Sequence, residues 1–345
     1  MNSNNHTILV TGCAGFIGGA LVKFLLNNGE KVIGIDNLNS YYDVNLKHER
    51  LEQINNTRKS SNSWKFYKIS IENFDEIIKV FSREKPSKVV HLAAQAGVRY
   101  SLKEPSAYIQ SNLLGFFNIL EAVSKYQISN FIYASSSSVY GGNKNLPFSE
   151  MQQVNHPVSL YAATKKSNEL IAHSYSHIND IPSTGLRFFT VYGPWGRPDM
   201  APMIFAKAIL EGKPIKIFNY GDMTRDFTFI DDVIEGLYKC LYKPASPDID
   251  FDLMKPNPST SFAPHRIFNI GNSQPVRLLK FIEILEDALG KKAIKEFEPI
   301  QLGDVQATAA KTDLLQDWIN YAPSTPIEKG IYKFAHWFKE YNANL

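Results

Sequence analysis

The chain has 345 residues, 44% of them apolar, which suffices for a large core and exceeds the size at which one core usually divides, so two lobes are expected. Its net charge of +3 arises from Lys and Arg scattered along the sequence, which argues against nucleic acid or an anionic membrane as the main partner. Only Cys13 and Cys240 occur, and neither end reads as a signal peptide or long apolar span, so no disulfide framework is expected and a reducing cytoplasm is the default compartment.

In chain order, Thr7 to Val10 is a β-branched and apolar run that reads as a strand. It ends in Thr11-Gly12-Cys13-Ala14-Gly15-Phe16-Ile17-Gly18-Gly19, after which Ala20 to Leu26 has helical periodicity. Gly12, Gly15 and Gly18 are spaced G-x-x-G-x-x-G, a variant of the dinucleotide fingerprint. In that motif glycines permit the tight turn, the approach of backbone to pyrophosphate, and close helix packing. An ordinary turn is the alternative, but Lys31 to Ile35 forms a second strand that ends at Asp36, about the expected distance on. An acid there accepts from an adenosine ribose 2′-OH and repels a 2′-phosphate, which favours NAD over NADP. Cys13 lies at a helix N-terminus, where a thiol pKa can fall, yet a small residue filling a tight loop is the simpler reading.

Trp64 to Ile69, Val89 to Ala94 and Phe131 to Ala134 are further short apolar strands alternating with helical stretches. This pattern predicts an α/β fold, a doubly wound parallel sheet with helices on both faces and ligands bound at the carboxyl ends of the strands. His91, Gln95 and Ser135 to Ser138 lie at such ends; His91 is read as a hydrogen-bonded structural histidine. A helix is expected over Pro105 to Tyr126, with apolar residues at Ile109, Leu113, Phe116, Phe117, Leu120 and Val123 on more than one face.

Tyr161 and Lys165 stand four residues apart on a predicted helix, so they share a face and the ammonium can sit beside the phenol. A free tyrosine titrates near pH ~10, and an adjacent cation lowers that value towards use as a base. The spacing alone is weak, since amphipathic helices produce it by accident. Beyond Pro244 to Pro264, a stretch rich in Pro, Asp and Ser, the sequence has no repeat or low-complexity block.

The glycine loop, Asp36, His91-Leu92-Ala93-Ala94, the serine run before Val139-Tyr140-Gly141 and the Tyr161/Lys165 pair resemble the extended short-chain dehydrogenase/reductase family, in particular its nucleotide-sugar epimerases. Within it, Gln95 to Ser101, Leu186 to Met200 and Arg225-Asp226-Phe227-Thr228 resemble the members that act on a UDP-linked hexuronate. The resemblance implies a Rossmann-type NAD domain over residues 1–190, to which segments near 226–244 and 266–274 return, and a smaller UDP-sugar lobe over 191–345. It implies cofactor contacts from Gly12, Gly15, Phe16, Ile17, Gly18, Asp36, Asn37, Ile71, Leu92, Ala93 and Ala94, together with Tyr161 and Lys165. It implies Tyr161 as the base, Lys165 as its stabilising cation and Ser136 as the hydroxyl bridging substrate oxygen and tyrosine.

The same resemblance brings substrate residues. Arg99, Ser136, Ser137, Ser138 and Tyr161 would face the sugar, with Thr190 and the serines donating to a C6 carboxylate, Arg197 helping to keep the acidic sugar in place, Arg225 donating to the diphosphate and Asp304 accepting from the uridine ribose. A loop arginine paired with Asp199 is the alternative for Arg197, and surface charges are the alternative for Arg225 and Asp304. Relatives that dehydrate their sugar carry an Asp-Glu pair where this chain has Ser137 and Ser138, which cannot act as acid and base. The acid that many relatives use for the adenine amino group is replaced by Ser70, followed by Ile71, and no role is assigned to Lys311. No metal is implied. The helices over Pro105 to Tyr126 and Tyr161 to Tyr175 are the expected homodimer surface. C4 epimerisation of a UDP-hexuronate with NAD is thus expected, with neutral-sugar epimerisation, UDP-glucuronate decarboxylation and non-catalytic NAD sensing as alternatives.

Overall fold

The computed structural model describes residues 6–58, 60, 63–301 and 303–343. Strands alternate with helices as β1 (Thr7–Thr11), α1 (Phe16–Asn27), β2 (Lys31–Asp36), α2 (Val44–Thr57), β3 (Trp64–Lys68), α3 (Phe74–Glu84) and β4 (Lys88–His91). Then come α4 (Pro105–Tyr108), α5 (Phe116–Lys125), β5 (Asn130–Ser136), α6 (Leu160–Asn179), β6 (Ser183–Phe188), β7 (Thr190–Tyr192), α7 (Ala201–Glu211) and β8 (Pro214–Ile217). The remainder is β9 (Thr224–Phe229), α8 (Ile230–Leu241), β10 (His265–Ile270), β11 (Pro275–Arg277), α9 (Leu278–Leu289), β12 (Ile294–Phe297), α10 (Asp313–Ile319) and α11 (Ile327–Ala343).

The chain divides into two compact units. The larger comprises Met1–Asn143, Glu150–Arg187 and Ile234–Phe268. Its seven-stranded sheet has the order β10-β6-β5-β4-β1-β2-β3, and β1 pairs in parallel with both β2 and β4. Strand order therefore reverses at β1 and β4, the switch point at which doubly wound sheets bind ligands. Every residue of β1 is buried, as expected of a strand covered on both faces. Leu9, Ile33, Val89 and Phe131 meet Ile77 and Phe81 of α3, Phe116, Ile119 and Leu120 of α5 and Ala172 of α6 in one core. The edge ring of Tyr238 in α8 packs on Phe24 of α1 at 5.2 Å.

The expected helix over Pro105 to Tyr126 is not uniform: Ile109–Gly115 is a π-helical turn between α4 and α5. Asn112 explains it. Its side chain turns back to bond Gln95, accepting from Gln95 N at 2.8 Å and donating to Gln95 O at 3.0 Å, while Asn168 Nδ2 donates to its carbonyl at 2.6 Å. A side-chain donor has replaced part of the helical ladder.

The smaller unit comprises Lys144–Ser149, Phe188–Val233 and Asn269–Leu345. In it β9 pairs in parallel with β7 and antiparallel with β11, and β8 pairs in parallel with β12. Phe227 of β9 stacks on Phe281 of α9 at 4.6 Å. Asp226, fully buried, accepts from Asn272 N at 2.8 Å and Ala310 N at 2.9 Å, so it ties two chain crossings to β9. Burial raises its carboxyl above the usual range, and these backbone donors act against that rise. Among the described residues, no helix is long and apolar enough to cross a membrane.

Candidate active site

The glycine loop is built for close approach. Gly12 leaves β1 at φ +70°, and a Cβ there would lie 2.8 Å from Ala93 N. At Gly18 a Cβ would lie 2.1 Å from the Gly12 carbonyl oxygen, and at Gly15 3.0 Å from the same atom. Helix α1 begins with Gly15 as its N-cap, no side-chain cap and no acidic residue in its first turn. Its first amides are therefore available to an anion, and the loop fits the pyrophosphate of a dinucleotide. Cys13 is buried there, and burial followed by the charge of Asp36 raises its thiol well above the usual value, so it is a space-filling residue rather than a reactive one.

Asp36 closes the same end of the sheet. Its Oδ2 accepts from Ala14 N at 3.1 Å and its Oδ1 from Leu38 N at 2.8 Å, which fixes the carboxylate while leaving lone pairs for a ribose hydroxyl. Asn37 Nδ2 donates to Ser70 Oγ at 3.2 Å, and Ser70 and Ser111 both donate to the Glu72 carboxylate. Ile71 packs so tightly under Gly115 that a Cβ there would lie 2.6 Å from its Cδ1.

Strand β4 stops at His91, not at Ala94 as the apolar run suggested. The register with β1 ends at His91, where the Leu92 amide is shared between Thr11 O at 3.3 Å and Thr11 Oγ1 at 3.2 Å and the Ala93 amide donates to Thr11 Oγ1 at 3.1 Å. Leu92, Ala93 and Ala94 thereby form a loop beside Gly12. His91 Nδ1 lies 2.8 Å from Thr11 Oγ1, and burial, then the charge of Lys165, lowers the ring to about 3. It is a neutral, hydrogen-bonded structural histidine. Arg99 precedes a short 3-10 turn, Tyr100–Leu102, in a loop held by the Tyr108 hydroxyl, which donates to Ala96 O at 3.0 Å and to Gly97 O.

Helix α6 is capped by Ser159, whose side chain accepts from Ala162 N at 3.1 Å. This sets Tyr161 in the first turn, half-buried, with its ring edge-on to Tyr108 at 6.1 Å. Lys165, one turn on, is 4% exposed, and its Nζ donates to Ala134 O at 2.8 Å. Burial lowers the ammonium to about 8. The helix cation is thus brought against the strand end that carries the serines. Ser136 Oγ bonds Ser138 Oγ at 3.2 Å and accepts from Ser138 N at 3.2 Å, with Ser137 between them in a 3-10 turn, Ser137–Tyr140.

Two features went unread in the sequence. Asn112 is one, although a polar residue inside an otherwise apolar helical pattern was a signal. The other is a fully buried ion pair, Glu169 with Arg187, at 2.8 Å and 2.9 Å through two bonds. Glu169 stands at the same helical spacing after Lys165 as Lys165 after Tyr161, and Arg187 interrupts an apolar strand, so both were visible as residues but not as partners.

In the smaller unit, Thr190 opens β7 opposite Phe227 of β9. Arg197 forms a bidentate pair with Asp199, Nε to Oδ1 at 3.0 Å with Nη2 to Oδ2. This is the alternative that the sequence offered for it. Arg225 Nη1 donates to Thr224 O at 2.9 Å and Gln306 O at 3.0 Å, and its Nη2 to Val305 O at 2.7 Å. Its guanidinium therefore anchors the segment that follows Asp304, whose own amide donates to Gln301 O at 3.2 Å.

Comparison with known proteins gives a consistent picture. Residues 8–271 match the NAD dependent epimerase/dehydratase family. The chain is 52% identical over 334 residues to Protein CapI of Staphylococcus aureus, covering 97% of this chain and 98% of that protein. It is 43% identical over 333 residues to a probable UDP-glucuronate 4-epimerase of Rhizobium meliloti, covering 96% of each. The fold is similar to the crystal structure of UDP-glucuronic acid 4-epimerase from Bacillus cereus in complex with UDP-glucuronic acid and NAD, with a TM-score of 0.85, 34% identity and coverage of 97% of this chain and 99% of that one.

Proposed function

The chain belongs to the NAD dependent epimerase/dehydratase family and is an NAD-dependent nucleotide-sugar 4-epimerase, and on that premise we propose that its substrate is a UDP-hexuronate, interconverted between UDP-glucuronate and UDP-galacturonate. The observation that carries the reading is the end of β5, where Ser136, Ser137 and Ser138 present only small hydroxyls and Lys165 holds Ala134. Hydroxyls can donate to a carboxylate or a sugar oxygen but supply no acid/base pair for elimination.

Gly12, Gly15, Phe16, Ile17 and Gly18 would hold the pyrophosphate of NAD, and Asp36 and Asn37 its adenosine side, with Ile71 and Leu92 to Ala94 alongside. NAD, when bound there, would supply a reversible hydride acceptor for the oxidation and re-reduction of the sugar carbinol. Tyr161 takes the proton from the C4 hydroxyl and later gives it back, Ser136 donates to that oxygen, and Lys165 favours the ionised phenol. Ser137, Ser138 and Thr190 donate to the C6 carboxylate and Arg225 to the diphosphate, while Asp304 accepts from the uridine ribose. A 4-keto uronate is a β-keto acid, so these donors must also hold the C5–C6 bond out of line with the ketone to keep CO2 in place. Exposed Ile109, Leu114 and Phe117, with Leu170 and Ile178 of α6, support a homodimer through these helices.

One observation favours a second reading, a neutral UDP-sugar: the Asp199 carboxylate already engages two donors of Arg197, which reduces the charge that the arginine offers to an acidic sugar. Incubation of the purified protein with UDP-glucuronate and separation of the products tests both. The proposed reading gives UDP-galacturonate; recovery of unchanged substrate, with turnover of UDP-glucose, supports the second, and release of CO2 contradicts both.

A further inference from the structure

We propose that the buried Glu169–Arg187 pair is the positioning device of this active site, setting the serine-bearing strand end against the helix that carries Tyr161 and Lys165. Glu169 lies on α6, on the face shared by Tyr161 and Lys165. Its Oε1 accepts from Ser135 Oγ at 2.7 Å and from Arg187 Nε at 2.8 Å, and its Oε2 from Arg187 Nη2 at 2.9 Å. Arg187, on β6, donates its Nη1 to the Tyr140 hydroxyl at 3.1 Å and lies 5.0 Å from the centre of that ring. Ser135 and Tyr140 are the residues on either side of Ser136 to Val139. One ion pair thus grips both ends of the segment that holds the substrate-facing hydroxyls, Ser135 from α6 through Glu169 and Tyr140 from β6 through Arg187.

Both side chains are 1% exposed. A pair so buried is weak evidence of stability, because apolar residues of similar volume often serve as well or better; what it adds is direction. Burial opposes ionisation of Glu169, but Arg187, Lys166 and the Ser135 hydroxyl outweigh it and bring the carboxyl down to about 2. Arg187 is correspondingly held protonated above its usual range, against the effect of burial. The clamp is therefore charged across the working pH range. It touches no reacting atom, so it acts by fixing where Ser136 stands relative to Tyr161.

The inference rests on the 4-epimerase reading, and its test separates the two. The double variant Ser135→Ala/Tyr140→Phe removes the two hydroxyl links without stranding a buried charge, and Ser135→Ala alone is the milder form. Each is compared with wild type for melting temperature, NAD content, and kcat and KM on whichever UDP-sugar the wild type turns over. The expected result is an unchanged NAD content, KM within about twofold and kcat lower by about tenfold or more in the double variant, with a smaller loss in Ser135→Ala, since small misplacements of reacting groups carry losses of that order. Variants that keep NAD and have kcat within about twofold of wild type overturn the positioning role. So does a loss of kcat that only follows loss of NAD or of fold in both variants. A wild type inactive on every UDP-sugar overturns the underlying reading, and the inference with it.

Discussion

The Lys165 ammonium donates to the carbonyl of Ala134 at 2.8 Å, which places a buried cation of α6 on the strand that carries Ser136. Burial brings this lysine to about 8 from an ordinary 10.5. A lysine depressed in the folded state is a charge that folding disfavours, so its destabilisation is fully present below about pH 8 and fades as the pH rises towards the unfolded value. The difference is about 3 kcal/mol at most. Lys165→Met removes the titration. Between about pH 8 and 10.5, wild type should therefore gain melting temperature relative to Lys165→Met, and a difference that stays flat with pH would contradict the buried-ammonium account. The variant should also lose most of its activity at neutral pH.

Gly18→Ala should strike the cofactor before the fold. Its new Cβ would lie 2.1 Å from the Gly12 carbonyl oxygen, an atom fixed by the turn, so α1 must retreat from the loop. Strain of this kind costs on the order of 1–3 kcal/mol. Purified Gly18→Ala should release far less NAD on acid precipitation than wild type, with activity partly restored by excess NAD. Equal NAD content in the two proteins would show that the glycine loop is not the pyrophosphate cradle.

How much of this was legible before the structure depends on how local each signal is. The glycine spacing, the strand ending in Asp36 and the Tyr161 to Lys165 spacing are short-range, and the backbone around them obeys the same rules in any fold. The end of β4 was misread by three residues because the Thr11 hydroxyl, from a neighbouring strand, takes the amide of Ala93 and shares that of Leu92 with the Thr11 carbonyl. The π-helical turn depends on Asn112 meeting Gln95 and Asn168, and the clamp depends on Glu169 meeting Arg187 from another strand. Such partners are chosen by tertiary packing, which spacing along one element does not encode. For Arg197 the sequence offered both a substrate contact and the Asp199 pair, and the pair is present.

Arg197 separates the two substrate readings. If it donates to the C6 carboxylate, exchanging its Asp199 partner as it does so, Arg197→Ala should lower kcat/KM for UDP-glucuronate by about tenfold or more, about 1.4 kcal/mol, while UDP-glucose turnover changes by less than about threefold. Equal losses on both sugars would make the pair a structural element of its loop. Steady-state kinetics on the two sugars decides.

The proposed homodimer would bury the exposed apolar side chains of the π-helical turn, α5 and α6. Phe117, 43% exposed, packs edge-on to Tyr175 of α6 at 6.4 Å, and Leu170 is 61% exposed. Wild type should be a dimer by light scattering, and a Leu170→Glu/Phe117→Glu variant a monomer. A wild type that is monomeric at micromolar concentration would contradict the proposed interface.

The proposed reaction is a reversible oxidation at C4 that begins and ends on the same bound cofactor. It is tested most directly with UDP-glucuronate carrying deuterium at C4, incubated with the purified protein and no added NAD. The expected product is UDP-galacturonate that retains its deuterium at C4, formed over many turnovers. Deuterium lost to solvent, or product formed only with added NAD and in step with accumulating NADH, would contradict it.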